Sequence, residues 1–342
     1  MPETLTAVLV GCGAISDGWL KDIAGIEDLA LVGLVDLDEE VAAKQALKHD
    51  LHDVVVGADL KETLRQTAPV LVFDLTVPAA HADVTVTALE HGCHVLGEKP
   101  MADSMDNARR AVEAAERAGR CYAVMQNRRY DPNIRRLRRL IDTGALGPLT
   151  TVNSDFYIGL HVEGFRRHMR HVLLLDMAIH TFDAARLISG ADPVSVYCKE
   201  WNPSGSWYDH DASAIAIFEM TGGIVYCYRG SWCGEGLITP WESRWRIIGQ
   251  EGTATWDGVD GIEAQTPTEV IGYHATLADL ALPDPDPNDR GGGHAGQIRD
   301  FVDCVREGRT PETICTDNIK SLAMVFAAIE SAEKGLPVAV RW

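Results

Sequence analysis

Lys99 and His180 are the residues of this chain best placed to do acid–base chemistry. Lys99 lies in Gly97-Glu98-Lys99-Pro100, directly after an apolar run that predicts a strand. Open α/β sheets bind ligands at the carboxyl ends of their strands, so a Lys at this point is placed for chemistry, although a surface role is the alternative. His180 follows Asp176 by four residues, and imidazole is the side chain that titrates nearest to neutral pH.

The segment that carries His180 predicts a buried helix over residues 172–189, because it is apolar nearly all round. In a helix, Asp176, His180 and Asp183 would share one face at spacings of four and three residues. Burying three ionisable groups is costly unless they are paired or face a polar cavity. A core histidine with structural carboxylates is one explanation, but three such groups on one stripe favour a functional site.

A glycine motif near the N-terminus predicts a dinucleotide site. The apolar run 5–10 leads into Gly11-Cys12-Gly13-Ala14-Ile15-Ser16, which is G-x-G-x-x-S with Ser where Gly or Ala is usual. Between a strand and a helix, such glycines allow a tight turn and a close approach of pyrophosphate to the backbone, and the helix N-terminus attracts the anion. The predicted cofactor contacts in this motif are Gly11, Gly13, Ala14 and Ile15.

The second predicted strand ends at Asp36, 23 residues after Gly13. A carboxylate there accepts hydrogen bonds from the ribose hydroxyls of NAD and repels the 2′-phosphate of NADP. Asp38 and its two following glutamates add negative charge, and no Arg follows. The sequence therefore favours NAD over NADP, with helix capping as the alternative role for Asp36 or Asp38.

Further cofactor contacts are predicted after the next two strands. Thr76, Pro78 and His81 follow one strand, and Glu98 and Lys99 follow the other. Their positions at strand carboxyl ends suit a cofactor cleft. An ordinary strand–helix loop would explain the first three equally well.

Apolar runs and helix-like segments alternate over the first third of the chain, which predicts a doubly wound α/β Rossmann domain over residues 1–125. The runs are continuously apolar, as strands buried on both faces should be. The predicted strands are 5–10, 30–35, a weaker 54–56, 70–75, 94–97 and 121–125, and the predicted helices are 39–48, 60–66, 79–91 and 104–118.

Residues 126–342 predict an α+β domain with a large, mostly antiparallel sheet, because short β-like stretches are separated by turn signals. The predicted strands are 149–157, 194–200, 212–220, 224–229, 245–249 and 253–256, and the predicted helices are 131–142, 172–189, 294–307 and 317–334. Residues 283–293 predict a loop. Four arginines at helical spacing predict a solvated helix face: Arg135, Arg136, Arg138 and Arg139.

The G-x-G motif, Glu98-Lys99-Pro100 and Asp176-x-x-x-His180 occur together and in this order, and Asn127-Arg128-Arg129 lies between them. In this combination the chain resembles the glucose–fructose oxidoreductase, inositol dehydrogenase and rhizopine catabolism family of Rossmann-fold oxidoreductases, over essentially its whole length. The resemblance implies an NAD-dependent enzyme that acts on a hydroxyl or carbonyl of a sugar, inositol or sugar derivative. The Lys–Pro bond is often cis in this family.

The resemblance also implies the role of each catalytic residue. Lys99 would contact the nicotinamide ribose and the reacting hydroxyl. His180 would be the general base in oxidation or the general acid in reduction, and Asp176 would bind a substrate hydroxyl and tune His180. These roles suit the chemistry, because a leaving hydride requires loss of the hydroxyl proton and a cation stabilises the developing alkoxide.

A wider set of residues is expected to bind the substrate: Asn127, Arg128, Tyr157, Arg170, Asp176, His180 and Trp232. Arg170 belongs to a cationic stretch that borders the substrate in this family. Trp232 belongs to a group of tryptophans and tyrosines in the second domain. Such rings could stack on a sugar, but sheet core and subunit interface are equally natural places for them.

Composition excludes other classes of function. A net charge of −19 argues against a nucleic-acid binder, which needs clustered Lys and Arg. Eight scattered cysteines without a C-x-x-C pair, no apparent signal peptide and no long apolar stretch predict a cytoplasmic protein without a membrane partner. No metal is expected, because His168-x-x-His171 has no obvious carboxylate partner and the family needs none.

Two other functions remain open at this point. Some relatives use tightly held NAD for glycoside cleavage through transient oxidation, which would employ the same Lys99 and His180. Other relatives sense dinucleotides without catalysis, although retention of both residues argues against that. The family also pairs subunits through the open face of its second sheet, which predicts a homodimer or homotetramer.

Overall fold

The computed structural model describes residues 4–161, 163–287 and 289–342. They form two compact units, of which the first is Met1–Tyr130 with Arg290–Ile319 and the second is Asp131–Asp289 with Lys320–Trp342. The predicted boundary between residues 125 and 126 lies five residues before the first of these crossings. The prediction differs in assigning residues 290–319 to the second domain.

Six of the described strands form a parallel sheet in the first unit. They are β1 (Leu5–Val10), β2 (Leu29–Val35), β3 (Val55–Gly57), β4 (Leu71–Asp74), β5 (His94–Gly97) and β6 (Tyr122–Val124). Their order is β3-β2-β1-β4-β5-β6, and β1 and β4 at the centre are almost completely buried. The order reverses between β1 and β4, so the carboxyl ends of these two strands border the crevice where open α/β sheets bind ligands.

The helices that alternate with these strands include three that begin at a capping side chain. The helices are α1 (Ser16–Ala24), α2 (Glu39–Lys48), α3 (Leu60–Thr67), α4 (Pro78–Glu90) and α5 (Met105–Ala118). Side chains of Asp38, Asp59 and Ser104 accept backbone N–H groups at the starts of α2, α3 and α5. The alternation of β1–β6 with these helices confirms the predicted Rossmann architecture.

The second unit is built on a larger sheet, with nine of the described strands in the order β14-β13-β12-β11-β7-β10-β9-β8-β15. The helices before and after its first strand are α6 (Pro132–Asp142), α7 (Phe165–His168), a π-helix at Leu173–Ala178 and α8 (Ile179–Ser189). The strands are β7 (Leu149–Tyr157), β8 (Pro193–Trp201), β9 (Ser213–Met220), β10 (Val225–Ser231), β11 (Arg244–Gly249), β12 (Thr253–Trp256), β13 (Ile262–Ile271), β14 (His274–Asp279) and β15 (Val338–Ala339).

The second sheet is mostly antiparallel, as predicted, with β7 and β10 paired in parallel. Residues alternate along its strands, so one face is buried and the other is open. Helix α8 covers the buried face, where the ring of Phe182 lies 4.9 Å from that of Phe218 and 5.2 Å from that of Tyr228.

The four arginines of α6 differ from the predicted solvated face. Arg139 Nη1 lies 2.5 Å from Asp289 Oδ2, and Arg136 Nε donates to the carbonyl of Pro283 at 3.0 Å. Arg138 donates to the carbonyl of Ile188 at 3.2 Å. The first two contacts attach Pro283 and Asp289 to α6, which satisfies one carbonyl and one carboxylate of the loop.

The chain closes with α9 (Gly293–Glu307) and α10 (Cys315–Lys334). Ile298, Phe301 and Val302 of α9 pack into the same hydrophobic core as Leu9 of β1 and Leu34 of β2. This burial is the reason that residues 290–319 join the first unit. The sequence shows that α9 has an apolar face, but the pattern does not say which core receives that face.

Candidate active site

The glycine turn after β1 has the shape that a dinucleotide requires. Gly11 has φ +91°, and a Cβ on it would lie 2.7 Å from the Leu75 backbone, so only glycine fits. A Cβ on Gly13 would meet nothing within 4 Å, which leaves its surface open. Ser16, in place of the usual Gly or Ala, is fully buried and donates its hydroxyl to the Gly13 carbonyl at 2.7 Å.

Asp36 directly follows the end of β2, and its carboxylate is fixed by two backbone amides. Cys12 N–H donates to Oδ2 at 2.8 Å, and Asp38 N–H donates to Oδ1 at 3.1 Å. Asp38 instead caps α2, because its side chain accepts the N–H of Glu40 at 3.0 Å. A carboxylate has about four lone-pair positions, so Asp36 keeps acceptors for a ligand.

A mainly apolar cleft of about 570 Å³ lies at the carboxyl ends of β1, β2 and β4. Gly11, Gly13, Asp36 and Thr76 line it, and among the described lining residues Lys61 is the one cation. An apolar cleft with a fixed carboxylate suits an adenine ring and a ribose diol. The open Gly13 surface is where a side chain would occupy the space of a pyrophosphate, so the residues present fit a dinucleotide.

Asp74 at the end of β4 holds the next loop. It is completely buried, and its Oδ1 accepts from the backbone N–H of Thr76 at 3.1 Å and from the Thr76 hydroxyl at 2.6 Å. Burial raises the pKa of the Asp74 carboxyl, although a nearby His81 and these hydrogen bonds act in the opposite direction. Pro78 begins α4, where its missing N–H is not needed.

The segment Glu98-Lys99-Pro100 follows β5, and its Lys99–Pro100 peptide is cis, as is common in the family that the sequence resembles. Glu98 is buried and accepts Trp19 Nε1–H at 2.8 Å and Lys99 N–H at 3.1 Å. Burial alone would raise the pKa of Glu98, but His294, Lys99 and Trp19 outweigh it and the pKa is lowered. Glu98 is therefore ionised and serves as a fixed acceptor beside Lys99.

Residues Asn127–Tyr130 form a 3₁₀ turn after β6 and belong to the first unit. Arg128 is buried and Asn127 is half-buried. Arg129 has a structural role, since its Nη2 lies 3.1 Å from Asp317 and its Nη1 donates to the carbonyl of Glu312. The structure thus places Asn127 and Arg128 after the strand adjacent to β5.

In the second unit, the predicted helix over 172–189 is interrupted by π geometry. Residues Leu173–Ala178 are a π-helix and α8 begins at Ile179, so Asp176 lies on the π turn and His180 on the α-helix. π turns are frequent at functional sites. Asp183 departs from the predicted stripe, because it is buried and accepts the Ser321 hydroxyl at 2.7 Å in a core network with Arg186.

Arg166 on α7 is bonded to Asp176 through two N–H groups of its guanidinium. Nε lies 2.6 Å from Oδ2 and Nη2 lies 3.4 Å from Oδ1. The guanidinium carbon also lies 4.7 Å from the ring centre of Phe165. Asp176 is therefore an oriented carboxylate with a cation beside it, and His180 is half-buried one turn further along.

Three other predicted substrate contacts have different surroundings. Alternation along β7 puts Tyr157 on the same sheet face as Asp155, opposite to the face that α8 covers. Burial, followed by the Asp155 charge, raises the pKa of Tyr157. Arg170 is exposed and lies 3.8 Å from Glu333. Tyr157 and Arg170 as substrate contacts stay predictions.

Trp232 is buried, and its ring stacks on that of Tyr208 with centroids 5.9 Å apart. Burial raises the pKa of Tyr208 to about 12. The charge of Asp176 adds to this rise, and the charge of Arg166 opposes it. The Tyr208 hydroxyl donates to the carbonyl of Leu160 at 2.9 Å. Tyr208 thus lies within electrostatic reach of Asp176 and Arg166, and the sequence analysis did not single it out.

The family descriptions agree with this site. The description "Oxidoreductase family, NAD-binding Rossmann fold" matches residues 5–126, and "GFO/IDH/MocA C-terminal domain" matches residues 134–255. The chain belongs to the GFO/IDH/MocA family of oxidoreductases. The resemblance inferred from the motifs is thereby confirmed.

Characterised GFO/IDH/MocA relatives match at moderate identity. D-apiose dehydrogenase of Paraburkholderia graminis is 26% identical over 97% of this chain and 89% of its own length. The scyllo-inositol 2-dehydrogenase (NAD(+)) of Bacillus subtilis is 27% identical over 82% of this chain and 80% of its own length.

A solved GFO/IDH/MocA-like structure shows the same fold. An oxidoreductase from Agrobacterium radiobacter, in complex with NAD+, L-tartaric acid and magnesium, superimposes with a TM-score of 0.84 at 20% identity, covering 98% of both chains. At that identity the likeness establishes the fold. Within the described ranges, no helix combines the length and apolar character that a membrane crossing requires.

Proposed function

We propose that this chain is an NAD-dependent dehydrogenase that oxidises a secondary hydroxyl of a sugar, inositol or related polyol. The observation that carries the proposal is the Asp36-lined dinucleotide cleft of the first unit, and the second unit adds an oriented Asp176 one turn before His180. The D-apiose and scyllo-inositol dehydrogenases support the substrate class, because both are named for polyhydroxylated substrates.

The choice of NAD over NADP rests on Asp36. Its carboxylate is held by the amides of Cys12 and Asp38, so it cannot turn away from a ligand at the end of β2 without losing two hydrogen bonds. A fixed negative charge repels a 2′-phosphate and accepts from a 2′-hydroxyl. The cation on the cleft wall, Lys61, lies on α3 rather than in the Asp36 loop.

Two residues carry the proton chemistry. A dinucleotide held at the Gly11–Gly13 turn and Asp36 would supply the hydride acceptor for this oxidation. His180 takes the hydroxyl proton as the carbonyl forms, and Lys99 stabilises the negative charge that develops on that oxygen. Asp176 accepts a hydrogen bond from a neighbouring hydroxyl and, because Arg166 fixes its plane, orients the substrate toward one carbon.

Asn127, Arg128 and Trp232 complete the proposal with supporting roles. Asn127 and Arg128 follow the strand beside β5 and offer donors to substrate hydroxyls. The ring of Trp232 stacks on the ring of Tyr208 and would hold that ring in place near Asp176. These assignments come from position and chemistry.

We infer that a second copy of this chain covers the open face of the nine-stranded sheet. Apolar side chains are exposed there on adjacent strands: Tyr197, Trp201, Ile215, Ile217 and Val225. Monomers rarely expose contiguous apolar patches of this kind, and the same patch on two copies is self-complementary around a twofold axis. Light scattering should give twice the mass of one chain or a multiple of it, and Ile217→Asp should halve that mass. An unchanged mass would reject this face.

The test of the activity is an assay with NAD and a panel of sugars, inositols, sugar acids and glycosides. Reduced nicotinamide absorbance and released aglycone are recorded in parallel for the wild type, Lys99→Met and His180→Gln. Matched controls are Lys44→Met and His91→Gln, since Lys44 is exposed on α2 and His91 is exposed directly after α4. The dehydrogenase proposal is supported if the absorbance of reduced nicotinamide grows in the wild type and in both controls but not in the two active-site variants.

The same assay separates the other two functions. Aglycone release without growth of absorbance would identify an NAD-assisted glycosidase. A dinucleotide-sensing protein would be favoured if the chain binds NAD but neither reduces it nor releases aglycone, and if substitution of Lys99 or His180 leaves NAD binding unchanged.

A further inference from the structure

The Glu98 side chain connects Lys99 to two residues far away in the sequence. Its Oε1 accepts from Trp19 on α1 at 2.8 Å and lies 3.5 Å from Nε2 of His294, near the start of α9. Its Oε2 accepts the backbone N–H of Lys99 at 3.1 Å. The three contacts fix the carboxylate plane, and with it the direction in which the chain leaves β5.

The other side of Lys99 is held by His81 on α4. Nδ1 of His81 lies 2.7 Å from the carbonyl oxygen of Pro100, and Nε2 lies 2.8 Å from the carbonyl oxygen of Thr76. Carbonyl oxygens only accept, so both contacts are satisfied when the ring donates from both nitrogens. The carboxyl of Asp74, buried at the end of β4, interacts with this ring. One buried imidazole thus joins the Lys99 segment to the loop that lines the cofactor cleft.

We propose that His81 and His294 are positioning residues for Lys99, His81 through the Pro100 carbonyl and His294 through the Glu98 carboxylate. The inference rests on the proposed function for the part that Lys99 plays in catalysis. Neither histidine touches the substrate or the cofactor in this proposal. Their effect is geometric, and a misplacement of about 1 Å at a reacting group can lower the rate by about 100-fold.

The two histidines hold Lys99 with different consequences. His81 also bonds the carbonyl of Thr76, so loss of its ring disturbs the cofactor-lining loop together with Lys99. His294 contacts Glu98, with Asp22 as the other charged group that faces it. The His294 side chain is about one-third exposed, whereas a side chain that only fills the core would be buried. Loss of His294 should therefore disturb Lys99 and leave the cofactor loop in place.

The experiment follows Lys99 itself. The chain has eight lysines, so reductive methylation with ¹³C-formaldehyde gives a small set of lysine resonances, and Lys99→Arg assigns the one that matters. Spectra with NAD present are compared for the wild type, His81→Gln, His294→Gln and the control His91→Gln. His91 is exposed, and its ring contacts only its own helix among the described residues.

We expect His81→Gln and His294→Gln each to shift the Lys99 resonance while the other lysine resonances stay in place. NAD affinity, measured by calorimetry, should fall about tenfold in His81→Gln and change less than threefold in His294→Gln. With a substrate in hand, kcat should fall by roughly 10- to 100-fold in both variants with KM for the substrate nearly unchanged. His294→Gln keeps the test decisive if His81→Gln fails to fold, because its ring is partly exposed.

An unmoved Lys99 resonance in His294→Gln would overturn the inference, whatever the assay shows. Shifted resonances in a protein that oxidises nothing in the panel would keep the positioning role and reject the proposed function instead. A resonance shift of equal size in His91→Gln would show that the spectra report general destabilisation, and would also overturn the inference.

Discussion

Arg166 binds Asp176 through two hydrogen bonds from one edge of its guanidinium, with Nε 2.6 Å from Oδ2 and Nη2 3.4 Å from Oδ1. This fork holds the carboxylate in one plane, which a single cation on a flexible stem would not do. Asp176 is nearly buried, whereas the Arg166 side chain is 37% exposed. The pair therefore orients Asp176 more than it stabilises the fold, because solvent screens a partly exposed ion pair.

Removal of the fork should raise KM for the polyol substrate. We expect Arg166→Ala to raise KM about tenfold, equivalent to about 1.4 kcal/mol, because Asp176 can then adopt several orientations. Arg166→Lys should recover only part of this loss, since it keeps the charge without the fork. The matched control is Arg167→Ala, whose residue contacts Glu163 and lies next to Asp209. Steady-state kinetics should show KM rising from the wild type to Arg166→Lys and further to Arg166→Ala. Equal KM values for Arg166→Lys and the wild type would contradict this expectation.

Asp36 and Asp38 offer a matched pair for cofactor choice. Asp36→Ser should lower kcat/KM for NAD and raise it for NADP, each by about tenfold, because the charge that repels a 2′-phosphate is lost. Asp38→Ser keeps a good capping side chain at the start of α2 and should leave the NAD preference unchanged. The ratio of kcat/KM for the two cofactors is the measurement. A ratio that moves equally in both variants would mean that Asp36 does not select the cofactor.

Sequence predicted the strands of the first unit and its helices α2 to α5, but not that residues 290–319 belong to this unit. Its strands are continuous apolar runs bounded by glycines and capping residues, so β1 and α2 coincide with the predicted residues 5–10 and 39–48. The hairpin β13–β14 was missed, because most of its side chains are exposed on both faces and no apolar alternation marks it. The interruption at Leu173–Ala178 was missed as well, since a π turn and an α turn bury the same apolar residues.

Within the site, sequence predicted the residues that follow strand ends better than those that depend on packing. Asp36 and the Glu98–Pro100 segment lie where strand position puts them. Asp183 has the spacing of a site residue but is bonded to Ser321, more than 130 positions away, which no local pattern reveals. His294 was missed for the same reason, because its partner Glu98 is about 200 positions away.

The pair of His171 and Glu200 makes the stability of the second unit depend on pH. Nδ1 of His171 lies 2.6 Å from Glu200 Oε2, and this hydrogen bond raises the pKa of His171 above its ordinary 6.5, against the opposing effect of burial. Glu333, at 3.6 Å from Nε2, adds to the rise, and Arg170 opposes it. A raised histidine pKa stabilises the folded state fully below pH 6.5, and this stability is lost as pH rises through the folded-state value.

We therefore expect the free energy of unfolding to fall as the pH rises from 6 to 9. Urea denaturation across this range should show the fall in the wild type and a flatter profile in His171→Gln. His168→Gln is the control, because His168 is 66% exposed and its contact with Asp209 is screened by solvent. A profile in His171→Gln as steep as in the wild type would assign the pH dependence to other groups.

Substitutions at Gly11 and Gly13, which lie in one turn, should separate an effect on folding from an effect on cofactor binding. Gly11→Ala puts a Cβ 2.7 Å from the Leu75 backbone at a φ of +91°, so it should destabilise the first unit by about 1–3 kcal/mol. Gly13→Ala meets nothing within 4 Å, so the protein should fold with an unchanged melting temperature. Its methyl group then occupies the space of the pyrophosphate, and NAD affinity measured by calorimetry should fall at least about tenfold. Tight NAD binding by Gly13→Ala would mean that the pyrophosphate does not approach this turn, and the open surface at Gly13 would need another explanation.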